Sequence, residues 1–302
     1  MSYNQENGGE GMKHKWNIWI LGGDQRQLRL AELLAADGHT VHTFALERGG
    51  ELREEVAQEE ELEGLELADC AVLPLPVMGE GSLLNAPLSS GRFPLAGILD
   101  RLRPGQVVCA GRVNPAAQAL AAQRGLTLHD YFAREELAVA NAVPTAEGAI
   151  QIALEELPVT LHGCRTLVIG HGRLGRALAP RLAALGAKVS VAARSWSDLA
   201  WIEAEGFGVE HSEQLRGWLC GYELIFNTVP SRVLDEAALA DLEPDCLVID
   251  LASQPGGVDF DAARRLGVNA IWALSLPGKC APVTAGRAIK NTIYNILNEL
   301  GV

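Results

Sequence analysis

Short apolar runs alternate with helical patterns along the first half of the chain. Asn17–Leu21 (NIWIL) predicts a strand, and the leucines between residues 28 and 34 predict an amphipathic helix that ends at Gly38. A second strand is predicted at residues 41–45, and the apolar runs CAVLP and QVVCA follow at similar intervals. This alternation predicts an α/β fold with parallel strands and helices on both faces of the sheet.

The pattern is interrupted between residues 132 and 157, which are mostly helical in character. Pro144 predicts a break between two helices at Val143, because the residue before a proline is disfavoured in the helical region. We therefore expect a flexible tail at residues 1–14, a first domain at 15–140 and a second at 141–283. A final helix from about Thr284 to Leu300 has an apolar face that can pack back on the first domain.

Residues 47–69 carry ten acidic side chains against Arg48 and Arg53. This density of like charge predicts a solvated helix or loop, with a docking patch for a basic partner as the alternative.

Composition narrows the class of protein. The 302 residues are 48% hydrophobic, 21% charged and 5% aromatic, which excludes an intrinsically disordered chain and fits two domains. The formal net charge of −13 argues against non-specific nucleic-acid binding. No uncharged apolar run approaches the ~20 residues of a membrane helix. The six cysteines are widely separated, which predicts reduced core cysteines in the cytoplasm and no zinc site.

A glycine motif opens the second domain. Gly170, Gly172 and Gly175 form G-x-G-x-x-G after the strand TLVI and before a helical pattern, and the strand KVSVAA follows. The first glycine permits a tight turn, the second lets the backbone approach a pyrophosphate, and the third lets the helix pack on the strand. This context predicts dinucleotide binding at a helix N-terminus, with an unliganded glycine-rich turn as the alternative.

The end of the next strand bears on which nicotinamide cofactor is bound. An NAD site usually has Asp or Glu there, whereas this strand ends in Ala193-Arg194-Ser195. Arg194 can pair with a 2′-phosphate and Ser195 can donate a hydrogen bond to it, so we predict NADP rather than NAD. An ordinary surface arginine is the alternative.

Loops after the later strands are expected on the same edge of the sheet. Residues 228–230 are expected near the ribose or nicotinamide, residues 276–278 near the nicotinamide, and His171 along the pyrophosphate. The full set of predicted cofactor-binding residues is Gly170, His171, Gly172, Arg173, Leu174, Gly175, Arg194, Ser195, Thr228, Val229, Pro230, Leu251, Ala252, Leu276, Pro277 and Gly278.

Six motifs, spread over nearly the whole chain, resemble in sequence and in order those of one family. They are GGDQRQ, NAVPTAEGAI, VIGHGRLGRALA, NTVPS, DLASQPGGVDF and LPGKCAPVTAG, and together they resemble dipicolinate synthase A. The resemblance implies an NADP-dependent oxidoreductase of spore-forming bacteria, acting in the mother-cell cytoplasm. It would form dipicolinate (pyridine-2,6-dicarboxylate) from a dihydrodipicolinate-type precursor, with a flavoprotein-like second subunit, dipicolinate synthase B.

The same resemblance implies an architecture similar to alanine dehydrogenases and D-2-hydroxyacid dehydrogenases. That architecture has a flavodoxin-like N-terminal domain, a Rossmann NADP-binding domain and a substrate cleft between them. Both are doubly wound parallel-sheet domains. Gln254 stands where an arginine is implied, so no catalytic role is assigned to it. A homo-oligomer is left open.

A substrate with two carboxylates needs cationic or polar donors. The predicted substrate-binding residues are Arg26, Arg112, Asn141 and Lys279. The predicted catalytic residues are Asp24, Thr145 and Glu147, with Glu147 as an acid or base and Asp24 holding Arg26 or moving a proton. Each has a structural alternative: Asp24 as a helix N-cap, the arginines as surface charges, and Glu147 as a favourable first-turn acid.

Three other functions remain open from sequence. One is a related enzyme that oxidises an amino or hydroxy acid. Another is an NADP-binding subunit that has no turnover on its own. The last is a redox-sensing module that binds NADP without catalysis.

Overall fold

The computed structural model describes residues 14–302, and these fall into two units. Unit 1 comprises the residues up to Arg134 together with Ile289–Val302, and unit 2 comprises Glu135–Ala288. All but the last residue of the predicted tail at 1–14 lies outside the described residues. The boundary precedes the position predicted after residue 140, because Glu135 begins a helix that continues well beyond that residue.

Unit 1 is a parallel sheet covered by helices. Ile18, Trp19, Ile20 and Leu21 of the first strand are almost completely buried, as expected for a strand with helices on both faces. The strands are β1 (Asn17–Leu21), β2 (Thr40–Phe44), β3 (Val56–Glu59), β4 (Cys70–Val72), β5 (Val107–Ala110) and β6 (Leu128–Asp130). The helices are α1 (Gln25–Ala36), α2 (Leu95–Leu99) and α3 (Pro115–Ala122).

The strand order in unit 1 is β3-β2-β1-β4-β5-β6. The five strands β2-β1-β4-β5-β6 have the predicted flavodoxin-like order, and β3 is an additional strand beside β2. Successive strands are added toward one edge of the sheet up to β3 and toward the other edge from β4 onward, so the strand order reverses between β1 and β4. Open α/β sheets bind ligands at the carboxyl ends of strands beside such a reversal, so this edge is a candidate site.

Strand β3 corrects the prediction for the acidic segment 47–69. Val56 is buried, Gln58 is exposed on the edge strand, and Glu59 Oε1 lies 2.8 Å from His42 Nδ1 on the neighbouring strand. An edge strand needs only a few inward apolar positions, so its acidic residues stay in solvent and its alternation is hard to recognise in the sequence.

Unit 2 is a second parallel sheet, preceded by a long helix. The strands are β7 (Arg165–Ile169), β8 (Lys188–Ala193), β9 (Gly208–His211), β10 (Leu224–Asn227), β11 (Leu247–Asp250) and β12 (Asn269–Trp272). The helices that begin in this unit are α4 (Glu135–Glu156), α5 (Arg173–Ala184), α6 (Trp196–Ala204), α7 (Glu236–Leu239), α8 (Phe260–Leu266), α9 (Leu276–Cys280) and α10 (Pro282–Leu300).

The strand order in unit 2 is β12-β11-β10-β7-β8-β9, with every neighbouring pair parallel. This is the Rossmann order, and its reversal point lies between β7 and β10. The predicted fold class, two doubly wound parallel-sheet domains, is confirmed.

Helix α4 corrects the break predicted at Val143. It is continuous through Pro144, although proline removes a backbone donor and normally disrupts a helix interior. Ala146, Ala149 and Ala153 of this helix are fully buried in the core of unit 2. Leu137 and Ala142, before the proline, are buried too. Burial on both sides of the proline offsets its local cost, and the local sequence pattern does not show that burial.

Helix α4 is also long and apolar enough, by length and composition alone, to cross a membrane. Its buried alanines pack among residues of α5 and the sheet, as in the core helix of an α/β domain. We therefore assign α4 to the core of unit 2.

Helix α10 begins in unit 2, and its residues from Ile289 onward belong to unit 1. Lys290 Nζ lies 2.6 Å from Asp37 Oδ2 at the C-terminal end of α1, and the Tyr294 hydroxyl donates to the same oxygen over 2.7 Å. Ile293 and Leu297 are buried. The chain thus enters unit 2 once and returns to unit 1 through this helix.

Candidate functional site

The glycine loop of unit 2 joins β7 to α5 with space left at the helix N-terminus. Gly170 has φ of +104°, in the left-handed region that favours glycine. A Cβ on Gly175 would lie 2.0 Å from the Gly170 carbonyl oxygen, so only glycine lets the helix approach the turn. A Cβ on Gly172 would have no heavy atom within 4 Å, and this N-cap supplies no side-chain hydrogen bond. The N–H groups of the first turn of α5 are therefore available to an anion.

A cavity of about 930 Å³ lies over this loop at the carboxyl ends of β7, β8 and β10. That volume is in the range of cofactor sites. Of the predicted cofactor-binding residues, it is lined by Gly170, His171, Gly172, Arg194, Thr228, Val229 and Pro230. Lining residues that the sequence analysis missed include Asp198, Ser212, Glu213, Leu215, Arg216, Arg232 and Asp235.

The end of β8 and the first turn of α6 present one cation and one acid to this cavity. Arg194 and Asp198 both line it. The Ser195 hydroxyl caps α6 by accepting from the Asp198 N–H, and it donates to Asp198 Oδ2 over 2.7 Å. The Ser195 hydrogen is used within α6 in this structure, and its donation to a phosphate stays a prediction. Arg176 Nη2 lies 3.7 Å from Asp198 Oδ1 and balances part of the negative charge.

Two further arginines line the same cavity from the loops after β9 and β10. Arg216 pairs with Asp235, and Arg232 Nη1 lies 3.0 Å from Asp259 Oδ2. Both side chains are mostly exposed, so each pair is worth little to stability and can be rearranged by a bound anion.

The imidazole of His171 does not lie along the glycine loop as predicted. Its ring is buried, with Nε2 3.1 Å from Glu205 Oε2 and Nδ1 3.8 Å from Asp198 Oδ1. Within residues 14–302, Nδ1 has no hydrogen-bond partner. The ring therefore contacts Asp198 of α6 and Glu205 at the C-cap of that helix. Only the backbone of His171 remains for the cavity.

Arg173 and Leu174 begin α5 but are absent from the lining of the cavity. Arg173 Nη1 lies 3.4 Å from Glu135 Oε2 of α4, and Leu174 packs against the core of unit 2. What these two residues can offer a phosphate is their backbone at the helix N-terminus.

The loop after β11 is organised around a buried carboxylate. Asp250 accepts from the Asn227 side chain over 2.8 Å and from the N–H groups of Ala252 and Gly257. Trp272 Nε1 donates to the Ala252 carbonyl, so both backbone polar groups of Ala252 are occupied. Leu251 is buried and donates its N–H to the Asn227 carbonyl. Neither residue lines the cavity over the glycine loop, and their predicted cofactor contacts stay predictions.

The segment after β12 forms the short helix α9 rather than the predicted turn. Leu276 is buried in the core of unit 2, while Pro277 and Gly278 are half-buried and Lys279 is exposed. Gly148 of α4 makes this packing possible, because a Cβ there would lie 2.9 Å from Cys280 Sγ. Leu276 therefore packs in the core, and Lys279 keeps its charge at the surface.

The three predicted site residues on α4 are engaged within unit 2. The Thr145 hydroxyl donates to the Asn141 carbonyl over 2.6 Å, which uses its hydrogen within the helix. Glu147 is exposed, and its Oε1 lies 3.7 Å from Arg181 Nε of α5. Neither residue lines the cavity over the glycine loop. Their predicted catalytic roles have no support from this geometry.

The carboxyl edge of unit 1 holds a buried arginine. Asp24 caps α1 in a capping box with Gln27, and the same carboxylate binds Arg26, with Nη2 2.7 Å from Oδ2. Arg26 Nη2 also donates to the Leu75 carbonyl over 3.0 Å in the loop after β4. Asp24 therefore serves as both the predicted cap and the counter-ion of Arg26.

A buried tyrosine supports this edge of the sheet. The Tyr131 hydroxyl donates to the Leu73 carbonyl over 3.0 Å and accepts from Gln27 Nε2 over 3.3 Å. Burial raises the pKa of Tyr131 far above its usual value, which keeps the hydroxyl protonated and able to donate.

Arg112 lies in the loop after β5 with a strained backbone. Its φ is +52°, and its N–H is held by Asp130 Oδ1 over 3.0 Å. The Gly111 N–H donates to the Pro74 carbonyl, so this loop adjoins the β4 loop that Arg26 contacts. Arg26 and Arg112 thus flank one loop at the point where the sheet of unit 1 reverses. A strained, exposed cation at such a position is typical of a binding site.

The six cysteines are free thiols, and the buried pair Cys70 and Cys109 on adjacent strands has its sulfurs 4.0 Å apart. Among residues 14–302, no group of three or more His, Cys, Asp or Glu side chains is arranged to hold a metal ion.

Comparison with known proteins places these two units in context. Residues 17–132 match the family model of the dipicolinate synthase A N-terminal domain. The chain is 34% identical to dipicolinate synthase A of Bacillus subtilis over 289 residues, which cover 94% of this chain and 96% of the relative.

Solved structures agree with this relationship. Dipicolinate synthase A of Bacillus halodurans superposes with a TM-score of 0.87 at 31% identity, covering 95% of this chain and 99% of that one. An L-alanine dehydrogenase superposes with a TM-score of 0.65 at 14% identity, covering 93% of this chain and 90% of that one, and shows a shared fold. The resemblance carried by the six sequence motifs is confirmed: this chain belongs to the dipicolinate synthase A family.

Proposed function

We propose that this protein is the NADP-dependent oxidoreductase subunit that forms dipicolinate from a dihydrodipicolinate-type precursor during sporulation. The observation that carries the proposal is the open cavity over the glycine loop, with Arg194 at the end of β8, in a chain of this family. The dehydrogenase-like fold supports an oxidoreductase with a nicotinamide cofactor. The related Bacillus subtilis protein is named as one subunit of its enzyme, which supports a second subunit, dipicolinate synthase B, in the complex.

The residues over the glycine loop fit a dinucleotide. Gly172 leaves open space where a pyrophosphate would approach, and the N-terminus of α5 offers free N–H groups and a positive dipole. The residue at this position is Arg194 rather than the Asp or Glu that would accept a hydrogen bond from a ribose 2′-hydroxyl. Its guanidinium suits a 2′-phosphate instead. Arg216 lines the same cavity and can add a second cation by exchanging Asp235 for the phosphate.

The residues at the carboxyl edge of unit 1 fit an anionic substrate. Arg26 is bound through Nε and Nη2, and no hydrogen bond engages its Nη1 among the described residues, so that nitrogen can donate to a carboxylate. Arg112 has an exposed guanidinium beside the same loop. Two cations flanking one loop suit a substrate with two carboxylates. Lys279 stays a predicted substrate-binding residue, and it is exposed in unit 2.

The residues of the glycine loop and Arg194 would hold NADP, which would supply a hydride acceptor; conversion of a dihydropyridine to an aromatic ring requires loss of one hydride and one proton. The chain's own residues then need to orient the substrate and receive one proton. Thr145 and Glu147 are engaged elsewhere, and Asp24 is committed to Arg26. We therefore propose Asp24 as the residue that positions Arg26, with Asn141 and Thr145 acting on the shape of α4.

The test is to supply purified chain with the dihydropyridine substrate and NADP, with and without the second subunit, and to record NADPH and dipicolinate. Stoichiometric formation of both by the chain alone supports the proposal. Dipicolinate that forms only with the second subunit present favours an NADP-binding subunit without turnover of its own. Oxidation of amino or hydroxy acids with no dipicolinate would replace the proposal by a related dehydrogenase.

We also propose that the protein works in the cytoplasm of the mother cell of a spore-forming bacterium. Its free thiols, including an unbonded cysteine pair on adjacent strands, suit a reducing compartment.

A further inference from the structure

A buried histidine of the glycine loop has one unpartnered nitrogen beside the cofactor cavity. The His171 side chain is 1% exposed, and its Nε2 lies 3.1 Å from Glu205 Oε2 at the C-cap of α6. A carboxylate only accepts hydrogen bonds, so Nε2 is the nitrogen that carries the hydrogen in a neutral ring. Nδ1 has no hydrogen-bond partner among residues 14–302, and Asp198 Oδ1 lies 3.8 Å from it. A buried polar atom in this state calls for a physical explanation.

The two protonation states of His171 differ in how they meet these acids. A neutral imidazole donates from one nitrogen and presents a lone pair on the other, whereas an imidazolium donates from both. In the neutral ring the Nδ1 lone pair faces the Asp198 carboxylate, and neither group can donate to the other. In the protonated ring one N–H faces Asp198 and the other faces Glu205. The arrangement therefore has an acceptor for each hydrogen of the charged ring.

One further charge belongs to this group. Arg176 Nη2 lies 3.7 Å from the same Asp198 oxygen, and Arg176 Nε donates to the His171 carbonyl over 3.2 Å. We call His171, Arg176, Asp198 and Glu205 the His171 cluster. With a neutral ring, two carboxylates outweigh one guanidinium, so the cluster is negative. With a protonated ring its charges cancel.

Asp198 is the acid of the His171 cluster that lines the cofactor cavity. Arg194 lines the same cavity, and the Asp198 side chain is 40% exposed. The hydroxyl of Ser195, next to Arg194 in the chain, lies 2.7 Å from Asp198 Oδ2. A phosphate held by Arg194 would therefore share this wall of the cavity with the Asp198 carboxylate, and the two negative charges would repel each other.

We propose that His171 and Asp198 determine how strongly the cavity holds a 2′-phosphate, through the protonation of His171. The protonated ring balances the charge of Asp198 and admits the phosphate, whereas loss of that proton leaves the carboxylate free to repel it. The preference for NADP over NAD then falls as pH rises through the range where imidazole titrates. NAD has a hydroxyl in place of the phosphate and is affected less. This inference rests on the proposed function, because it takes NADP as the cofactor.

The experiment titrates the full-length chain with NADP and with NAD by calorimetry, from about pH 6 to about pH 9. The 2′-phosphate itself gains a second negative charge near pH 6, so each variant is compared with wild type at the same pH. His171→Gln keeps a donor for Glu205 and stays neutral throughout. Its Kd for NADP should exceed that of wild type about two- to fivefold at the acidic end and match it at the alkaline end, as expected for one partly exposed ion pair.

His162→Gln is the matched control for the histidine variant. His162 is exposed and precedes β7, at the edge of the sheet opposite the cofactor cavity. Removal of its imidazole should leave the Kd of both dinucleotides at the wild-type value over the whole pH range.

Asp198→Asn is the second variant, and it should strengthen NADP binding. Asparagine can still accept from the Ser195 hydroxyl, so this contact is retained while the charge is lost. The Kd for NADP should fall about two- to fivefold with little change in the Kd for NAD. Damage to the fold does not produce a gain of affinity that is confined to the phosphorylated dinucleotide.

The possible outcomes separate this inference from the proposed function. If the ratio of the His171→Gln Kd to the wild-type Kd for NADP stays constant with pH, the role of protonation is overturned. Equal changes for NADP and NAD would overturn the role in phosphate selection, and weaker NAD binding by Asp198→Asn would make that acid a ribose acceptor instead. Wild-type protein that binds neither dinucleotide would reject the proposed function. Binding of both with no difference between the variants would reject the inference alone.

Discussion

Gly172→Ala separates the two tasks of the glycine loop. Gly172 has φ of −81° and ψ of −165°, which alanine adopts without strain, and a Cβ there would have no heavy atom within 4 Å. The methyl group therefore fits the protein itself. It would stand at the N-terminus of α5, in the space where we expect the pyrophosphate to approach the backbone.

Gly175→Ala is the matched comparison, because the same methyl group would clash inside the protein. Its Cβ would lie 2.0 Å from the Gly170 carbonyl oxygen, whereas ordinary contact begins at 3.4 Å, so the loop or the helix must move by about 1.4 Å. Overpacking of this kind costs ~1–3 kcal/mol. For a unit of this size that corresponds to a fall in Tm of roughly 2–12 °C. Gly172→Ala should change stability by about 1 kcal/mol or less, since only N-cap preference and chain entropy are affected.

The effect of Gly172→Ala on cofactor binding should be larger than its effect on stability. A displaced pyrophosphate loses charge-assisted hydrogen bonds to the backbone, each worth ~1.5–3 kcal/mol. The Kd for NADP should therefore rise about tenfold or more. Titration of NADPH fluorescence measures the binding, and differential scanning calorimetry measures Tm. An unchanged Kd in Gly172→Ala would refute the approach of the pyrophosphate to the backbone at Gly172. An equal loss of Tm in both variants would refute the claim that only Gly175→Ala causes a clash.

Three further predictions address other parts of the molecule. Arg194→Asp should raise the Kd for NADP by roughly 10- to 100-fold with little effect on NAD, and an equal loss of both in parallel titrations would contradict the 2′-phosphate assignment. Arg26→Ala should raise the apparent KM for substrate about tenfold or more while the Kd for NADP stays constant, and unaltered kinetics would exclude a carboxylate contact. Although partial burial raises the pKa of Asp37, its hydrogen bonds with Lys290 and Tyr294 lower it overall. Asp37 thus stabilises unit 1 above the unfolded-state pKa of ~3.9. The loss of unfolding free energy caused by Asp37→Asn should therefore become smaller as pH falls below that value. A loss that is independent of pH would contradict the pairing.

The sequence predicts the sheet and the glycine loop well because their signals are local. Asn17–Leu21 and Lys188–Ala193 are strands at the predicted positions, since a continuous apolar run in a parallel sheet is buried on both faces. The glycine spacing carries its own geometry, because a turn, an open approach and a close packing each need a residue without a Cβ. The cavity over that loop accordingly contains the predicted Arg194 and Thr228.

Features set by distant residues were missed or misplaced. Pro144 stays inside α4 because core packing offsets a lost hydrogen bond, and no local rule reports that packing. His171 contacts Glu205, 34 positions away, so its ring could not be placed from the glycine motif. The carboxylate of Asp198 was overlooked beside Arg194, although Ser195 followed three residues later by an acid is a recognisable capping signal.

Strand order explains how an acidic protein can bind small anions. The acidic segment 47–69 contains β3, and β3 is three strand spacings from β4, whose following loop contacts Arg26. At ~4.8 Å per spacing this separation is roughly 14 Å. The Debye length at physiological ionic strength is about 8 Å, so most of the repulsion from that edge is screened before it reaches Arg26. Net charge governs encounters with large polyanions, whereas short-range donors such as Arg26 and the N-terminus of α5 decide whether a small dicarboxylate or a phosphate is held.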